Sequence, residues 1–214
     1  GAMRLLLRSL CALAVCVLAL DAAQAHPHVW ITAKSELIYA PDGTLTGVRH
    51  AWTFDDMFAT YALQGIESKT KGAYTREELA PLAQTNVESL KEYAYFTFAK
   101  ADGRKQRFNQ PVDYFLDYRD STLVLHFTLP FRAPFKAREL QLEIYDPEYF
   151  IDFQFQEKEP VKLVGAATDC KVAIVRADNG AANAQAQKLG EENFASGSSN
   201  FGAMFANKVT VTCP

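Results

Sequence analysis

The sequence predicts an α+β protein, a mainly antiparallel β-sheet or sandwich built of hairpins with one or two helical insertions. Three observations lead there. Hydrophobic residues make up 49% of the 214-residue chain and include 15 phenylalanines; aromatic and β-branched side chains suit strands. Turn signals fall at short intervals between alternating segments. One long segment, by contrast, repeats its apolar residues at helical spacing.

The first hairpin pairs His28–Ala40 with Leu45–Asp56 around Pro41-Asp42-Gly43-Thr44. A two-residue Asp42-Gly43 loop sets Pro41 against Thr44. The same register sets Ile31 against Phe54, Ser35 against His50, Trp30 against Asp55 and His28 against Met57. Side chains alternate across a strand. Val29, Ile31, Ala33, Leu37, Val48, His50, Trp52 and Phe54 therefore share an apolar face that should meet the core. His28, Trp30, Thr32, Lys34, Glu36, Arg49, Thr53 and Asp55 share the wetter face. His28 and Asp55 thus lie near one end of the hairpin, with His50 on the opposite face roughly 23 Å along the strand.

Thr75-x-x-Glu78 is a capping box, followed by a helix to about Tyr93 with Leu79, Leu82, Ala83, Val87 and Leu90 on its core face. Pro81 falls late for a first turn and predicts a shifted start or a kink. Tyr95–Lys100 and Arg104–Phe108 read as a second hairpin, and Pro111–Tyr118 and Thr122–Leu129 as a third. Glu139–Tyr145 and Tyr149–Gln156 are strands separated by Asp146-Pro147-Glu148. Val161–Val164, Lys171–Val175 and Val209–Thr212 are shorter ones. Residues 179–206, rich in Ala, Asn, Gly and Ser, read as a flexible or partly helical segment, with a helix over Ala181–Leu189 and a mobile loop over Ser196–Asn200.

The N-terminus carries an export signature. Gly1-Ala2 before Met3 reads as a cloning remnant. Arg4 and Arg8 precede an apolar run, and Ala23-Gln24-Ala25 is the small-x-small pattern before a cleavage site. Residues 1–25 are therefore remnant plus signal peptide, and 26–214 a single periplasmic domain with no later membrane span. Of the four cysteines, Cys170 and Cys213 remain after cleavage. An even pair in an oxidising compartment reads as one disulfide, worth about 4 kcal/mol for a loop of this length. The rival reading, soft metal ligation, lacks CxxC spacing. The net charge of −3 and the lack of a basic tract argue against a nucleic-acid partner.

Cleavage after Ala25 makes His26 the first residue. Its amine and imidazole then stand beside the imidazole of His28, a donor set that suits divalent transition metals: zinc or nickel/cobalt, with copper as a further option. Pro27 has no N–H, which blocks the copper(II)/nickel(II) mode that needs a deprotonated amide at position two. Asp55 is the nearest carboxylate by register and Asp56 a secondary one; Trp30 flanks the site. His50, between Val48 and Trp52, reads first as a hydrogen-bonded core histidine and only second as a ligand. His126, between Leu125 and Phe127, reads as structural or partly exposed. No G-x-S-x-G, HExxH, P-loop or CxxC motif is present, and nothing sets two carboxylates opposite each other as a glycosidase requires.

Three motifs, His26-Pro27-His28-Val29-Trp30, His50-Ala51-Trp52-Thr53-Phe54-Asp55-Asp56-Met57-Phe58 and Tyr145-Asp146-Pro147-Glu148-Tyr149-Phe150, resemble those of an exported bacterial domain-of-unknown-function family, number 1007. The resemblance spans essentially the whole mature chain. It implies a periplasmic component associated with nickel/cobalt-type metal transport and supplies no catalytic residues; it is also the reason to keep His50 as a secondary candidate. The expected function is a transition-metal-binding accessory protein, acting as chaperone, sensor or substrate-binding component for a membrane metal transporter. The alternatives are a metal-free module docking such a transporter and a copper enzyme of histidine-brace type.

Overall fold

The computed structural model describes residues 27–177 and 201–214. His26, the leader, the expected helix over Ala181–Leu189 and the loop over Ser196–Asn200 lie outside the described residues.

Two mainly antiparallel sheets face each other. The first takes β1 (Val29–Tyr39), β2 (Leu45–Phe54), β5 (Val112–Arg119), β6 (Thr122–Phe135), β8 (Ile151–Phe155) and β9 (Val161–Val164). Its order is β5-β6-β2-β1-β8, with β9 also on β1. The second takes β3 (Thr97–Ala101), β4 (Arg104–Gln106), β7 (Glu139–Ile144), β10 (Lys171–Val175) and β11 (Asn207–Thr212), in the order β10-β11-β7-β3-β4. Two helices, α1 (Asp56–Ala62) and α2 (Arg76–Leu90), lie between β2 and β3.

The apolar faces of both sheets make one core. Trp52, Phe127 and Phe153 of the first sheet share it with Leu140, Leu142, Ile144, Val209 and Val211 of the second. The β1–β2 register is the expected one from Ile31↔Phe54 to Ile38↔Gly47. The turn differs. Ala40 N–H donates to the Thr44 carbonyl and Gly43 N–H to that of Ala40, so the loop has three residues, with Gly43 at φ +85°. This is the turn-plus-bulge hairpin that needs a left-handed residue in its last loop position. The irregularity between Leu45 and Gly47 then restores the register, and the hydroxyl of the extra Thr46 donates to the Ile38 carbonyl.

α2 begins with the expected capping box, Thr75 and Glu78 bonding reciprocally. Pro81 sits inside the helix, which neither starts after it nor ends at it. Leu79, Ala83 and Val87 are buried in the core. The second hairpin closes on Asp102-Gly103 and the third on Asp120-Ser121, both residues of the latter at positive φ, as a primed two-residue turn requires.

One edge of β1 is built from sequence-distant strands. β8 runs parallel to Val29–Ala33, and β9 parallel to Ser35–Ile38. The fold is thus a sandwich of mixed pairing, not of hairpins alone. Cys170 and Cys213 form the expected disulfide, fastening the start of β10 to the end of β11.

Candidate functional site at the head of the first strand

The three motif segments converge where β1 begins. Asp146 closes the β7–β8 turn: its carboxylate accepts from the N–H groups of Glu148, Phe150 and Ile151. This brings the Phe150 carbonyl to β1, where it accepts from the N–H groups of both His28 (2.8 Å) and Val29 (3.2 Å). The His28 and Phe150 rings lie against each other, 4.9 Å between centroids. His28 is exposed.

From the other side, Asp55 grips the same strand. One carboxylate oxygen accepts from Trp30 N–H (2.9 Å). The other accepts from Phe58 N–H (2.8 Å) and caps α1. Asp55 N–H in turn donates to the Trp30 carbonyl. The carboxylate predicted to hold a cation thus holds two backbone amides, fixing the geometry beside His28 and Trp30. The expected His28–Met57 pairing does not form. The chain turns into α1 at Asp56, and the place beside His28 belongs to Phe150. Asp56 lies in the first turn of α1 and lines a shallow 530 Å³ cleft with Tyr74, Tyr118 and Ser121.

His50 is fully buried and on the opposite face. Its Nδ1 lies 2.8 Å from Ser35 Oγ, and its Nε2 3.0 Å from Thr97 Oγ1. The Thr97 hydroxyl donates to the Tyr95 carbonyl, so it can only accept from His50. The tautomer follows: Nε2 carries the proton and Nδ1 accepts from Ser35. Burial pushes the imidazole pKa down to about 3, since a charged ring would be desolvated here. Both nitrogens are engaged in the core, and the ring is not brought together with His28. His126 is half-buried and stacks on Phe115 (4.5 Å), whose other neighbour is the Arg76 guanidinium, 3.8 Å from the ring centroid.

A residue that sequence reasoning passed over stands beside Trp30. Asp152 is Trp30's partner in the parallel β1–β8 register, so it shares the outer face with His28 and Trp30. It is 3% exposed. Burial raises its pKa, while a hydrogen bond from Gln154 lowers it. The pKa of nearby Tyr149 is also raised, by burial first and by the Asp152 charge second. Trp30 is thus flanked by two carboxylate residues, Asp55 just after β2, where it caps α1, and Asp152 on β8. The available signal was parity: in Tyr149-Phe150-Ile151-Asp152-Phe153, Asp152 alternates with the core residue Phe153. The partner strand could not be read from the sequence.

Among the described residues, no group of three or more His, Cys, Asp or Glu side chains is close enough to hold an ion; His26 lies outside them. No described helix is long and apolar enough to cross a membrane.

A two-sheet sandwich with a terminal disulfide, and with three motif segments meeting at the head of β1, defines the class. The family model described as "Protein of unknown function (DUF1007)" matches residues 11–213, and the chain belongs to that family. It is also similar to an uncharacterized protein of Haemophilus influenzae (strain ATCC 51907 / DSM 11121 / KW20 / Rd). That relative is 23% identical over 194 residues, covering 88% of this chain and 91% of the relative.

Proposed function

We propose that the processed protein is a periplasmic carrier of a divalent transition metal, serving a membrane metal transporter. The ion sits at the mature N-terminus. The His26 amine and imidazole and the His28 imidazole are its nitrogen donors, a set suited to zinc or nickel/cobalt. A carboxylate beside Trp30 completes it: Asp55, which already orders the site through backbone amides, or the more deeply buried Asp152. The observation that carries this reading is the exposed His28 ring, fixed at the head of β1 by Phe150 two residues after His26. A rigid second ligand reduces the ordering cost of closing a terminal chelate. Export is consistent with the Cys170–Cys213 disulfide.

The test is the mass of the N-terminal peptide of protein recovered from the periplasm, together with its metal content. An N-terminus at His26 with about one equivalent of zinc, nickel or cobalt is expected. A retained leader, or metal-free protein from metal-replete cells, contradicts the proposal.

One observation favours a second reading, a metal-free module that docks the transporter. Trp30 and Phe150 at the site are 46% and 47% exposed, and Met57 and Tyr61 of α1 are 81% and 71% exposed. Transporter capture that persists in EDTA and is lost on Trp30→Ala would favour it.

A further inference from the structure

A second cleft, of 1110 Å³, lies on the outer side of the second sheet along β3. The cationic side chains lining it are Lys91, Lys100, Lys105, Arg107 and Arg132, against the single carboxylate Glu143. This is a local reversal in a chain whose net charge is −3. None of the five cations takes part in an ion pair among the described residues, and Glu143 stands opposite a further cation, Lys208, in the β7–β11 register.

The arrangement within the cleft is specific. Lys100 and Lys105 are direct cross-strand partners on β3 and β4, so their side chains rise from the same face. Like charges directly opposite are destabilising, and no carboxylate is paired with either lysine. Phe98, two residues before Lys100 on that face, lies against Tyr145 with centroids 4.8 Å apart. Gln141 is Lys100's partner on its other side. Asn109 and Gln110 add side-chain amides from the segment leaving β4. An aromatic floor, a row of cations and a rim of amides match the three components of an extended peptide: apolar side chains, carboxylates and backbone. The cleft is somewhat larger than is usual for a small-molecule pocket, which favours a chain segment over a compact anion.

We infer that this cleft binds an acidic peptide segment of a partner protein, with carboxylates on the Lys100–Lys105 pair and an apolar side chain on Phe98 and Tyr145. The cleft reaches the β7–β8 turn through Tyr145 and Pro147, but it uses none of the residues proposed to hold metal and does not depend on metal. Charge complementarity of this kind acts strongly on encounter and selectivity and weakens with salt.

The experiment is fluorescence anisotropy in EDTA with a labelled octapeptide of alternating glutamate and phenylalanine pairs, beside its glutamine counterpart, inorganic phosphate and phosphatidylglycerol vesicles. The glutamate peptide should bind. Binding should weaken at least tenfold in the Lys100→Gln/Lys105→Gln protein, in Arg132→Gln, and in about 0.5 M salt; the glutamine peptide should bind at least tenfold more weakly than the glutamate one. Thermal melts of both variants confirm that they are folded. No binding, equal binding of the two peptides, or unchanged binding by both variants overturns the assignment. Phosphate or vesicles bound as tightly as the peptide also overturns it, giving the cleft to phosphate groups. Because EDTA removes metal from every arm, failure here leaves the metal proposal standing, and the reverse holds.

Discussion

His50 Nε2 donates across the sandwich to Thr97 Oγ1 at 3.0 Å, joining β2 of the first sheet to β3 of the second. On its other side Nδ1 accepts from Ser35 of β1. Thr97 passes the chain of bonds to the carbonyl of Tyr95, which with Ala94 and Phe96 has positive φ. That conformation is uncommon for bulky residues. A neutral imidazole therefore ties both sheets to a left-handed turn, in a core where an unpaired polar group would be costly.

This bridge makes stability pH-dependent. His50 takes up a proton at its ordinary pKa of about 6.5 only when unfolded; in the fold burial pushes that pKa down to about 3. The unfolded state thus binds more protons from about pH 6.5 down to about 3, and stability falls with pH throughout that window. One such group contributes a slope of about 1.4 kcal/mol per pH unit. Urea midpoints at pH 7, 5 and 4 measure it. His50→Gln should be less stable at pH 7, with a slope shallower by about one proton. An unchanged slope would mean that His50 is not the group responsible.

Asp55 is expected to matter for stability whether or not metal is present. Asp55→Ala removes the α1 cap and the acceptor for Trp30 N–H, a loss of about 1–3 kcal/mol. Urea unfolding in EDTA should show this in full. A loss seen only with bound metal would make Asp55 a ligand first and a structural residue second.

Gly202 holds the β7–β8 turn from below. Its N–H donates to the Pro147 carbonyl, and a Cβ there would collide with the Asp146 carbonyl oxygen. Tyr149 of that turn stacks on Phe205. Gly202→Ala should therefore force the 201–205 segment off the turn, costing about 1–3 kcal/mol. It should also loosen the Phe150 carbonyl that positions His28. Amide hydrogen exchange at His28 and Val29 checks this: faster exchange is predicted, and unchanged exchange would mean that the 201–205 segment does not hold the β7–β8 turn in place.

Legibility in the sequence followed locality. The β1–β2 register and its two faces were readable because alternation from Val29 to Phe54 is strong and the turn is marked by Pro41-Asp42-Gly43. The loop length was not, because a bulge at Thr46 shifts the pairing near the turn and then restores it. α1 was missed because seven residues give too little periodicity, although Asp55 before Asp56-Met57-Phe58 was a readable cap. The parallel β1–β8 pairing joins segments more than 100 residues apart, and no local pattern encodes it. With it went the place of Asp152 and the gathering of the motif segments around His28.

The central claim is that the mature N-terminus binds a transition metal through His26 and His28. Calorimetric titration of zinc, nickel and cobalt into protein beginning at His26 tests it most directly, beside His26→Ala, His28→Ala and a form with an added N-terminal glycine. One-to-one binding is predicted, weakened at least tenfold by each histidine substitution and by blocking the amine, and falling as pH drops through about 6.5. Asp55→Asn and Asp152→Asn identify the carboxylate. Equal affinity in all four proteins, or no binding in any, would contradict the account.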